Sequence, residues 1–303
     1  MTRPAPLPED LHGRPFDRAG AVGAGARPGR LRRKDLLRPF HGVRVMEVPH
    51  SALDRCRAYA VRLKPGQFFS HETAALLHGL PLPQHLEEDP TVHVGAVLPA
   101  DAPHSRGMRG HRLTGAALSE VDGLPVADVL ETFCHLGGSL DLEDLVVVAD
   151  VLMNRTDLDE DEARAALRAR IATIRRRGTA KLLKAVDLCR RGSRSPAETR
   201  VRLILGAAGL PPAELNAPIE HSGTTQHLGS PDFVWRRQRV LLEYEGDGHR
   251  ISKEQFRYDI VRYDDLAADG WRVLRATADD LTLEGRKRLA LRVRRALEAS
   301  ESR

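Results

Sequence analysis

The chain has 303 residues, of which 41% are hydrophobic and 29% charged, with a formal net charge of +5. That length exceeds one usual compact domain and predicts two, and the apolar content supports real cores and argues against a disordered chain. Cys56, Cys134 and Cys189 are widely spaced and lack C-x-x-C geometry, which argues against a disulfide scaffold or a zinc site and points to a reducing cytoplasm.

No stretch reaches the roughly 18 consecutive apolar residues of a membrane span, and the N-terminus lacks an apolar signal core. A cytoplasmic protein with no membrane partner is expected. The positive charge favours a polyanionic partner such as DNA, with a solvated Arg-rich surface as the other reading.

In chain order, residues 1–15 are Pro-rich and polar and read as a disordered N-terminus. From Phe16 a short helical pattern meets Gly23 and Gly25. A second, basic helix is expected from Pro28, carrying Arg30, Leu31, Arg32, Arg33, Lys34, Asp35, Leu36 and Leu37. Helix, glycine turn and basic helix are the ingredients of a helix-turn-helix, and His41–Val45 reads as a tight turn entering a wing strand. This stretch, with Ser70-His71-Glu72-Thr73 through His78-Gly79-Leu80-Pro81, resembles the degenerate winged-helix region of abortive-infection type IV antitoxins. The resemblance implies a winged-helix-like α+β region over 16–135 and DNA contacts through Arg30, Arg32, Arg33 and Lys34. It leaves a toxin or homodimer partner open. The other reading is a solvated helix face, or a packing module that has lost its DNA.

Within that region Ser51–Leu63 reads as a helix, and Ser70, with Thr73 three residues on, opens another that Gly79 and Pro81 end. His71 and His78, seven apart, fall on one helix face and read as surface or core histidines rather than metal ligands. Short strands are expected at Thr91–Leu98, Gly110–Leu113 and Leu124–Val126, and helices at Ala127–Leu136, Leu142–Met153, Glu160–Arg177 and Lys181–Cys189. Residues 136–192 form a helical connector that ends in the linker Arg190–Arg194.

The terminal domain, 193–303, opens with Ser195-Pro196-Ala197-Glu198. This is a capping box that gives Glu198 a structural role. Leu215–Ile219 suggests a short edge strand. Phe233–Trp235 and Val240–Tyr244 then flank Arg236–Arg239, the pattern of a β-hairpin. A four-residue turn sets Trp235 against Val240 and Asp232 against Glu243, and the period of two adds Glu245 to the same face. Three converging carboxylates make a hard-oxygen site suited to a magnesium-type ion. The other reading is an acidic pair neutralised by arginine, with Arg239 and Arg250 as candidates. Past His249, Ser252 and Gln255 cap a helix with a buried stripe at Phe256, Ile260, Tyr263 and Ala267 and a polar row of Gln255, Asp259 and Arg262. Gly270 ends it, Trp271–Leu274 is a strand, and a basic helix follows from Asp279.

Pro231-Asp232, Glu243-Tyr244-Glu245, Gly248-His249, Asp259, Arg262 and Gly270-Trp271 together resemble the PD-(D/E)xK nuclease superfamily, in the branch similar to very-short-patch repair endonucleases. The resemblance covers about the last third of the chain. It implies a restriction-endonuclease-like mixed sheet flanked by helices, so the whole chain is expected to be α/β. It further implies Mg2+ (or Mn2+) held by Asp232 and Glu243, with Glu245, His249 and Glu198 as further catalytic candidates, Arg262 gripping a phosphate, and hydrolysis of DNA phosphodiester bonds. The superfamily lysine is replaced by Glu245, which leaves His249 in part of that role or leaves no catalysis. The alternative is therefore a non-catalytic DNA-binding regulator, antitoxin-like, on the same fold.

Overall fold

The computed structural model describes residues 6–173, 176–246 and 253–301, the side chains of 253–259 and 301 excepted. Among the described residues the chain is mixed α/β, and it forms two compact units, Met1–Val148 with Arg164–Asp187 and Ala149–Ala163 with Leu188–Arg303. No described helix is long and apolar enough to cross a membrane.

In the first unit β1 (Phe16–Asp17) pairs antiparallel with β2 (Val43–Arg44), and α1 (Arg18–Gly23) follows β1 directly, its first turn capped by Asp17 Oδ1 accepting from the Gly20 N–H. Leu7 and Leu11, in the segment whose composition reads as disordered, are buried with Phe16, Ala21, Leu31 and Leu36. The expected basic helix from Pro28 is absent. Arg30–Arg32 form one turn of 3-10 helix, and the Leu37 N–H and C=O pair with Val45 across an isolated bridge, which requires extended backbone where a helix would continue.

Further along lie α2 (Ala52–Ala60), β3 (Gln67–Phe69), α3 (His71–Leu77), α4 (Gln84–Glu87), β4 (Val92–Val97), β5 (Met108–Leu113), β6 (Leu118–Val121), β7 (Leu124–Ala127) and α5 (Val129–Leu136). Ser51 and Asp54 form a reciprocal capping box at α2. The five strands make one mixed sheet in the order β5-β4-β3-β7-β6, with Phe68, Phe69, Val92, Val94 and Val126 in its core. The chain passes between units within α6 (Leu142–Asn154) and α7 (Glu160–Thr173), and again at the last residue of α8 (Thr179–Leu188).

One layer of this unit is polar. The His71 ring, at the start of α3, stacks on His111 of β5 (centroids 3.5 Å, 14°) and on His135 of α5 (4.4 Å, 4°). His93 Nδ1 lies 2.5 Å from Glu72 Oε2 and 3.3 Å from His111 Nε2. Ser70 Oγ meets His71 Nδ1 at 3.0 Å instead of capping its helix. His78 stands apart, its Nε2 on the Ala127 carbonyl at 2.7 Å.

In the second unit the Asp150 carboxylate accepts from Arg190 N–H, Thr199 Oγ1 and Arg202 Nη2 at 2.7–2.8 Å. Then come α9 (Pro196–Ala207), β8 (Glu214–Leu215), β9 (Ile219–Glu220), β10 (His227–Gly229), β11 (Phe233–Trp235), β12 (Val240–Tyr244), α10 (Lys253–Ala268), β13 (Arg272–Ala276) and α11 (Leu283–Glu301). The strand expected over Leu215–Ile219 is two strands, because Asn216 between them takes a left-handed φ of 49°. The main sheet runs β13-β12-β11-β8, with β12 and β13 parallel and the other pairs antiparallel. Strand alternation divides its side chains between two cores. Phe233, Trp235, Val240 and Leu242 face α9 and α11, against Val201, Ile204, Leu289 and Val293. Val234 and Leu241 face the other way, toward Leu266 of α10 and Trp271.

Candidate active site

The hairpin register decides the geometry. Trp235 pairs with Val240, Val234 with Leu241 and Phe233 with Leu242, so Arg236–Arg239 are a four-residue turn and the next step outward sets Asp232 opposite Glu243. Arg239 closes the turn by donating its N–H to the Arg236 carbonyl at 3.1 Å, with a left-handed φ of 51°. By alternation Asp232, Glu243 and Glu245 continue the face that Val234 and Leu241 present to α10. The apolar layer thus ends in an acidic one.

Asp232 Oδ2 accepts the Tyr244 N–H at 2.7 Å, and its own carbonyl accepts the Asn216 N–H. Burial, followed by the charges of Glu198, Glu243 and Glu245, raises its pKa to about 6 against the pull of the Tyr244 N–H. No described cation pairs with Asp232.

Each glutamate is held. Glu243, 8% exposed, takes Arg262 Nη2 at 2.9 Å on both oxygens and a close hydrogen bond from the Tyr263 hydroxyl. That hydroxyl also reaches Glu245 Oε1 at 3.4 Å, and Arg275 Nε lies 3.6 Å from the same oxygen. The Arg262 and Arg275 guanidiniums stand over the Tyr263 ring at 4.9 and 4.2 Å. Burial works against the Arg262 charge, yet Glu243 and Tyr263 hold its pKa above the ordinary value. Burial, then the hydrogen bond to Glu243, pushes the Tyr263 hydroxyl up as well.

Glu198 departs from the capping box. Ser195 Oγ accepts from its N–H, but the Glu198 carboxylate turns to the Arg194 N–H at 2.8 Å and Asn216 Nδ2 at 2.7 Å. It is buried, and it bears electrostatically on Asp232. Of the expected site residues, Asp232, Glu198, Glu243, Glu245 and Arg262 therefore come together. His249, Gly248 and Arg250 lie outside the described residues, as do the side chains of Gln255, Phe256 and Asp259. The stripe expected on α10 is rotated: Ile260 and Ala267 are exposed, Leu266 is fully buried, and Tyr263 spends its hydroxyl on the carboxylates.

Tyr263, Arg275 and Asn216 are missed by sequence reasoning. Tyr263 had a place only in the apolar stripe, although tyrosine beside arginine on a helix facing an acidic strand end is a legible signal. In the first unit Arg30 is bound bidentately to Asp35 (2.6 and 3.0 Å), with 9% of its side chain exposed, and does not serve as a free cation. Arg32, Arg33 and Lys34 are exposed.

The donor set is all carboxylate oxygen, the chemistry hard divalent cations take. Among the described residues, no group of three or more His, Cys, Asp or Glu side chains is placed to hold a metal ion. At Glu243 a guanidinium occupies the position a cation would take.

Two proteins of Mycobacterium tuberculosis, named Uncharacterized protein MT2308 and Uncharacterized protein Rv2248, are each 26% identical to this chain over 266 residues. The match spans 87% of this chain and 93% of theirs. No family model matches the chain, and no solved structure does.

Proposed function

We propose that the second unit is a divalent-metal-dependent phosphodiesterase acting on DNA. The observation that carries the reading is Asp232, a half-buried carboxylate facing three others with no described cation of its own. An isolated charge so placed is costly, and a bound cation offsets the cost. Asp232 and Glu243 would hold Mg2+ or Mn2+. Such an ion would polarise a phosphoryl oxygen and lower the pKa of a water bound to it, supplying a nucleophile near neutral pH. The Tyr244 N–H orients the Asp232 carboxylate, and Glu198, fixed by Arg194 and Asn216, adds negative charge behind it. Arg262, released from Glu243, would take a non-bridging phosphate oxygen, as guanidinium forks do.

The Arg262–Tyr263 grip on Glu243 favours a second reading, a DNA-binding regulator in which arginine has replaced the metal. Incubation of plasmid and linear DNA with the full chain in Mg2+ or Mn2+, with EDTA and Asp232→Ala controls, separates the two. Metal-dependent cutting that Asp232→Ala abolishes is the expected result. DNA binding without cutting in either metal overturns the enzyme and leaves the regulator.

A further inference from the structure

The first unit holds a recess of about 1020 Å3 whose walls carry Arg18, Arg32, Arg38, Arg44, Arg55 and Arg106, while no aspartate or glutamate lines it. The buried Phe40 also lines it. Three of the arginines are oriented by neutral acceptors. Arg44 donates to the Leu31 and Val43 carbonyls at 3.1 and 2.9 Å, Arg38 to the Arg32 carbonyl at 3.4 Å, and Arg55 to the His50 carbonyl at 3.3 Å. A carbonyl positions a guanidinium without cancelling its charge. Three nearby carboxylates are engaged elsewhere: Asp17 caps α1 and faces Arg62, Asp35 binds Arg30, and Asp54 caps α2. The positive charges also act on one another, since burial and then Arg38 hold the Arg44 pKa below its ordinary value.

A concave set of uncompensated guanidiniums is relieved by an anion with several charges, and phosphate oxygens suit the guanidinium fork. The shape narrows the guest. Proteins that read duplex DNA insert a projecting helix or ribbon into a groove. This unit offers a hollow instead, and the stretch that would have projected is a single 3-10 turn. A flexible strand can enter a hollow and thread its phosphates past successive cations.

We propose that this recess binds the phosphodiester backbone of a single-stranded nucleic acid through Arg38, Arg44, Arg55 and Arg106. The site is independent of the carboxylate cluster and of whether that cluster cuts.

The test is fluorescence anisotropy of a labelled mixed-sequence single-stranded oligonucleotide with the full chain in EDTA, where metal-dependent cleavage does not intervene. Arg38→Ala with Arg106→Ala is expected to weaken binding about tenfold or more and to lower the log–log salt slope by about 1.4, near 0.7 per lost phosphate contact. The control pair, Arg57→Ala with Arg112→Ala, removes exposed arginines of the same unit that already face Asp122 and Asp101, and is expected to leave both quantities unchanged. Equal weakening by the control pair would reduce the effect to net charge and overturn the proposal. So would stronger competition by duplex DNA, or displacement by inorganic triphosphate at matched phosphate concentration, which would mark a small-anion site. Thermal melts of both pairs confirm that the unit stays folded.

Discussion

Arg262 Nη2 lies 2.9 Å from each carboxylate oxygen of Glu243, so the acidic face of the sheet carries its own cation on the helix that covers it. Both side chains are largely removed from solvent (17% and 11% exposed). This pair sets the competition between guanidinium and metal ion on which both functional readings turn.

Arg262→Ala leaves Glu243 buried beside Asp232 and Glu245 without its guanidinium. Breaking one partner of a buried pair costs about 3 kcal/mol or more, and urea unfolding at pH 7 should read a loss of that order. If the nuclease reading holds, millimolar Mg2+ raises the melting temperature of Arg262→Ala more than that of the parent chain. An equal or absent shift in both counts against metal binding at Glu243.

Gly229 makes room for the same arginine. Its φ is 121°, and a Cβ there would stand 2.9 Å from Arg262 Nη1. Gly229→Ala therefore combines backbone strain with displacement of the guanidinium, a loss of about 1–3 kcal/mol. Combining it with Arg262→Ala should give less than the sum of the two, and a double-mutant cycle measures the shortfall.

Asp232 titrates with the opposite sign to an ordinary paired carboxylate. Its folded-state pKa, raised from 3.8 to about 6, means the native state holds a proton more tightly than the unfolded chain. Stability from this group is present below pH ~4 and is lost as pH rises through about 6. Asp232→Asn keeps an oxygen for the Tyr244 N–H and removes the charge. Allowing for the group's partial exposure, it should stabilise the chain by about 1 kcal/mol at pH 7.5 and by nothing at pH 4. Denaturation at the two pH values checks this, and a variant that is less stable at both would refute it.

The histidine layer predicts acid sensitivity in the first unit. Burial, followed by the neighbouring histidines, drops His71 to about 2 and His111 to about 4, both far below 6.5. The unfolded state therefore binds more protons, and stability is lost as pH falls below about 6.5 toward 4. Glu72 acts in the same direction at lower pH: burial raises its pKa, but the hydrogen bond and charge of His93 together with hydrogen bonds from Ser139 and the backbone lower it to about 2, so its contribution fades below about 4.5. His111→Gln should flatten the loss between pH 6.5 and 4 by about 1–2 kcal/mol after allowance for solvent screening. An unchanged slope would show that the layer does not couple folding to protons.

The hairpin, the four-residue turn and the meeting of Asp232 with Glu243 could be read from the chain itself. They rest on local rules: alternation with period two, a polar turn of definite length, and a register that follows by counting. The cap at Ser195 and the helices of the middle segment were legible for the same reason. β3 was not, because Gln67-Phe68-Phe69 is too short to display a period and owes its place to partners on both sides. Folding in three dimensions alone decided what the polar groups do. Pairing with Val45 overrode the helical pattern around Leu37, and the phase of α10 brought Arg262 and Tyr263 to Glu243. His93 and His111 joined His71 because β4 and β5 are neighbours in the sheet. Charges and hydrogen bonds act through space on whichever groups packing brings within a few ångströms, and sequence separation does not record that distance.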